Sequence, residues 1–209
     1  MNGATPDSVE PVKSLKEFFR NSVERSMQRQ GVEAEAPTAH YVVCLLTLFA
    51  RSEALFDDFE TRRGIRPLAL MLSDALAATS PTDRTVALQR LGDVSLFVAG
   101  FFSASLADKA VDVDYYISMG GSAYRSLSNE VWRTPRGAHV APIFDELSNK
   151  FTRFVDVLAD VREQASGKPD GDVLRLYELW LRTGSRRAER ALRALGIEPN
   201  GSLDRRVRH

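Results

Sequence analysis

Cysteine, histidine and net charge are what this 209-residue chain has least of: one cysteine, three histidines, and 28 basic residues balanced by 28 acidic ones. With Cys44 alone there is no disulfide framework and no cysteine-based zinc site, and a reducing compartment is the natural setting. His40, His139 and His209 are scattered, and none has a carboxylate or a second histidine three or four places on, which excludes the paired ligands of di-iron bundles and zinc hydrolases. The balanced charge leaves no overall field to draw the molecule to nucleic acid or an anionic membrane. Long apolar runs are missing too. The longest, Tyr41 to Ala50 and roughly 94–106, fall short of the roughly 20 residues that span a bilayer. The opening MNGATPDSVEPVK lacks the basic start and apolar stretch of a secretory signal, so a cytoplasmic location is expected. No stretch alternates as a β-hairpin would.

What is present is helical periodicity. A hydrophobic fraction of 44% and a charged fraction of 27% are those of a globular chain with a real core. Ser14 with Glu17 forms a capping box for a first helix, whose apolar face is Leu15, Phe18, Phe19, Val23 and Met27 and which Gly31 stops. The run YVVCLLTLFA then reads as a helix hidden on every side, capped at Thr38 and reaching about Phe56, with Cys44 in the core. Pro67 opens a third helix. Ser80, followed by Pro81 and Asp83, caps a fourth that ends near Leu106, and Asp112 or Asp114 opens a fifth through Val131. The sixth holds the clearest seam: Val140, Phe144, Leu147, Phe151, Phe154, Leu158 and Val161 alternate four and three apart. After the GKPDGD linker come a seventh helix with Leu174, Tyr177, Trp180 and Leu181, and an Arg-rich eighth capped by Ser185 and stopped at Gly196. The expected fold is all-α, an antiparallel bundle of about seven or eight helices with a fully buried central helix. Residues 1–13 form a flexible tail, 14–166 the main bundle, 170–196 a helical pair packed on it, and 197–209 a basic tail.

No residues are spaced for a known catalysis, none forms a metal site, and nothing indicates a cofactor. Asp57, Asp58 and Glu60 make a DDxE cluster, but no second acidic run faces it and Arg62 and Arg63 adjoin it, so it reads as a solvated helix end. The fifth helix is more telling. Adjacent glycines inside a helix cost on the order of 1 kcal/mol each against alanine, so Gly120 and Gly121 point to a close approach. Either a neighbouring helix packs there, with Gly100 opposite, or a small ligand lies over the glycines in a pocket between the fourth and fifth helices. Tyr124 would then wall that pocket, with Ser122 and Arg125 as its polar handles.

The leading expectation is an interaction or regulatory module acting through an apolar helix face, as a homo-oligomer or with a helical partner. Its interface would be the seam residues Phe144, Leu147, Phe151, Phe154 and Leu158. The ligand pocket with Gly120, Gly121, Ser122, Tyr124 and Arg125, with enzymatic activity in reach, is the alternative. A third comes from the C-terminus, where eight arginines between Arg182 and His209 face only Glu189, Glu198 and Asp204. Arg186, Arg190 and Arg193 share a helix face there and suit an anion or nucleic acid.

Overall fold

The computed structural model describes residues 15–49, 66–103, 112–134, 137–166, 180 and 183–194. Among them are eight α-helices and no strand: α1 (Leu15–Gln30), α2 (Ala36–Phe49), α3 (Leu68–Ala77), α4 (Pro81–Phe101), α5 (Val113–Trp132), α6 (Ala141–Asn149), α7 (Phe151–Ser166) and α8 (Arg186–Ala194). They pack as an all-α multi-helix bundle. Ser14, the DDxE cluster, the end of the fourth helix, the seventh helix apart from Trp180, and both tails lie outside the described residues.

Helix ends follow their local chemistry. Gly31 takes φ +60° and closes α1, with Val32 N–H on the Met27 carbonyl and Gly31 N–H on that of Gln28, so two otherwise orphaned carbonyls are satisfied. The Ser80 hydroxyl accepts from Asp83 N–H at 3.0 Å ahead of α4, and Asp112 accepts from Val113 N–H at the start of α5. Thr38 is not a cap. It lies buried in the first turn of α2, and the start of that helix is held from α6, where the Glu146 carboxylate accepts Glu35 N–H at 3.2 Å.

The stretch hidden on every side is the later part of α4 and not α2. Seven successive residues of α4, Val94 to Gly100, are buried, whereas Cys44 and Leu48 of α2 are exposed, Leu48 at 54%. Apolar side chains all round α2 gave no sign of which face meets solvent. In α4 the polar Asp93 and Ser95 disguised the burial. Close approach is made possible by glycine at three crossings: a Cβ on Gly92 would overlap the Tyr124 ring, one on Gly100 would overlap Leu158, and one on Gly120 would overlap Phe151 and Ser95. The partner of Gly100 is therefore α7, not Gly120.

The seam is continuous but its helix is not. The chain breaks at Lys150, after Ser148 and Asn149, whose short polar side chains favour helix ends. Phe144, Leu147, Phe151, Phe154, Leu158 and Val161 all remain buried across the break, while Val140 is 41% exposed. The expected interface thus packs inside the chain itself, against α4, α5 and α1, and leaves no apolar stripe there for a partner.

Candidate functional site

The five residues expected around the paired glycines divide between two faces of α5. Gly120 and Tyr124 face inward. Gly120 is filled by Phe151 and Ser95, so no pocket opens between α4 and α5 at that point. The wholly buried Tyr124 donates its hydroxyl to Asp93 Oδ1 at 2.7 Å, and Tyr41 of α2 donates to the same oxygen at 2.6 Å while accepting from Gln89 at 3.0 Å. One carboxylate on α4 thereby ties α2 to α5. Burial pushes Asp93 up to about 6, against the opposing pull of the two tyrosine hydrogen bonds, and raises both tyrosines well above their ordinary value.

Gly121, Ser122 and Arg125 face outward, onto a groove of about 340 Å³ between α5 and the break that separates α6 from α7. A Cβ at Gly121 would make only ordinary contact with Phe151 and Ser148, and the Ser148 hydroxyl donates to the Gly121 carbonyl at 2.9 Å, forming the floor. Arg125 leans on Asn149 Oδ1 at 3.3 Å. Opposite lie Lys150, Phe151, Thr152 and Arg153, the first turn of α7, where the helix dipole is positive. Three lining side chains are cationic and none is a carboxylate.

Those cations are not equivalent. Lys150 Nζ is committed, donating at 2.8 Å to both the Glu33 carbonyl and Glu146 Oε1. Burial pushes the Glu146 carboxyl up, but hydrogen bonds from Lys150, Thr38 and Glu35 N–H outweigh it and hold the group below its ordinary value. Arg153 is the opposite case. Its NH1 is buried with no hydrogen-bond partner, and burial, then the neighbouring Arg186 and Arg190, lower its pKa against the pull of Asp156 and Glu189.

The arginine stripe of α8 is largely engaged. Arg190 bonds the Arg29 carbonyl and Gln30 at the end of α1, and Arg193 pairs with Glu189 at 2.9 Å. Arg186 remains exposed beside Arg153. Among the described residues no group of three or more metal-ligating side chains occurs, and no helix there is long and apolar enough to cross a membrane. Cys44 and His40 meet on the outer face of α2, with Sγ 3.5 Å from Nε2.

Sequence reasoning found one wall of the groove and missed the other. Lys150 and Arg153 flank the apolar seam and drew no notice because nothing in the spacing signals a helix break. Comparison with known proteins finds no match: no family model fits the sequence, and no curated protein or solved structure is significantly similar to it.

Proposed function

We propose that the protein is an interaction module that receives an acidic segment of a partner protein in the groove between α5 and the α6–α7 junction. The observation behind this reading is the lining itself: Arg125 and Arg153 with no carboxylate among the lining residues, Lys150 being already paired with Glu146, in a chain whose charge balances overall. Such a local field steers an anionic partner and fixes its orientation. Ser118, Ser122 and Thr152 line the same groove and offer hydroxyls beside the cations. The role as an interaction module is that expected from sequence, moved from an apolar helix face to a polar groove.

The test is fluorescence anisotropy of a labelled, glutamate-rich peptide with the full-length protein. Binding should weaken as salt rises, fall by about tenfold or more in Arg125→Glu, and be absent for a lysine-rich peptide of equal length. Binding that ignores both salt and Arg125→Glu overturns the reading.

A further inference from the structure

Among the described residues, the candidates are the His40–Cys44 pair on α2, the half-buried Asp93 with its two tyrosines, and the guanidinium of Arg153, whose NH1 is one of four buried side-chain atoms without a hydrogen-bond partner. The first supplies only two ligands for a metal, and the second is satisfied by hydrogen bonds within the fold. The third belongs to a residue that lines the groove, and its buried NH1 lacks an acceptor.

We infer that the anchor of the docking segment is a phosphorylated side chain, its phosphomonoester dianion held between Arg153 and Arg125. This rests on the acidic-docking reading above and narrows it. Arg153 NH1 is buried without a partner, a costly arrangement unless an acceptor arrives. Arg125 reaches across from α5 and holds only the weak 3.3 Å contact to Asn149. The hydroxyls of Ser122 and Thr152 stand on the two sides of the same space. Lys150 is not counted, since Glu33 and Glu146 already hold it.

Two guanidinium groups and two hydroxyls exceed what a carboxylate can use. A carboxylate brings one charge and two oxygens, whereas a phosphomonoester brings nearly two charges and three acceptor oxygens, and arginine forks match them in pairs. Nearby acids do not fill the role. Asp156 of α7 and Glu189 of α8 attract Arg153 without accepting from its NH1, and Arg186 adds a further positive charge there. The volume of about 340 Å³ is larger than a phosphate group alone and leaves space for the residues on either side of it.

The experiment is calorimetric titration of the full-length protein with three short glutamate-containing peptides that differ only in a central serine, glutamate or phosphoserine. Phenyl phosphate and a single-stranded oligonucleotide are titrated alongside. The phosphoserine peptide should bind about tenfold or more tightly than the glutamate peptide. That advantage should grow between pH 5.5 and 7.5, as the second phosphate proton leaves near pH 6. Arg153→Gln should remove the advantage, and so should Arg125→Gln, an exposed position where folding is not at stake; circular dichroism and Tm verify both variants.

Equal affinity for the glutamate and phosphoserine peptides overturns the inference and leaves acidic docking standing. Binding of none of the peptides removes the docking reading as well. Phenyl phosphate or the oligonucleotide binding as tightly as the phosphopeptide overturns the assignment to a phosphorylated side chain. An advantage that survives both arginine variants shows that the phosphate sits elsewhere.

Discussion

Asp93 is the residue on which three helices depend, and its behaviour with pH follows from its surroundings. An aspartate in the unfolded chain titrates near 3.8, and burial in the fold raises Asp93 to about 6. The folded state therefore holds the proton more tightly than the unfolded one. The contribution of this group to stability is full below about pH 4 and is lost as pH rises through 6, by up to about 3 kcal/mol. Asp93→Asn keeps an acceptor for Tyr41 and Tyr124 but carries no charge. Wild type minus variant stability, from urea unfolding at pH 4 to 7.5, should fall across that window; a flat difference would mean that Asp93 titrates normally. None of this was legible in the sequence. Asp93 is one acid among 28, and its partners stand 52 positions before it and 31 after it in the chain.

At the scale of elements, the strongest pattern in the sequence was read correctly as a seam and wrongly as an available surface. Periodicity shows which side of a helix is apolar; it does not show what covers that side. Here α6 and α7 turn the seam inward, with Phe154 and Leu158 fully buried. Phe154→Ala should accordingly cost about 3–5 kcal/mol of folding stability through the cavity it leaves. Its denaturant midpoint should be independent of protein concentration, whereas a seam that closed a dimer would make the midpoint concentration-dependent. The same limit explains α2 and α4. The second helix, apolar all round, was expected to be hidden on every side, yet glycine-dependent and small-residue contacts do this for the later part of α4, with Ser95 bonding its own helix at the Leu91 carbonyl, 2.6 Å away, and so presenting an apolar exterior. The paired glycines were legible as a place of close approach, which holds at Gly120 and not at Gly121. That Gly120 would be filled and Gly121 would floor a groove depended on the break at Lys150, which the uninterrupted heptads concealed.

For the whole molecule, the question is how the arginine-rich α8, expected to face outward, is held to the bundle. Its first turn is clamped by one hydroxyl: Ser185 Oγ donates to the buried Asp156 of α7 at 2.5 Å and accepts from Ala188 N–H at 3.1 Å, capping the helix as its position in the sequence suggested. Arg187 is buried against Glu163, and Arg190 donates to the Arg29 carbonyl and the Gln30 side-chain oxygen at the end of α1, where a cation complements the helix dipole. The segment thus bridges α1 and α7, and it brings Arg186 beside the groove. Removing the clasp should loosen α8 while leaving the centre of the bundle intact. In Ser185→Ala the cap is lost and Asp156 keeps its burial without its hydroxyl donor, a combined cost of about 2–3 kcal/mol. Hydrogen exchange should then quicken selectively in α8 and at the end of α1, with α4 and α5 unchanged at their exchange-protected cores. Uniform acceleration through every helix would instead show that α8 folds with the bundle as a single cooperative unit, and that the groove and its arginine neighbours open only when the whole molecule does.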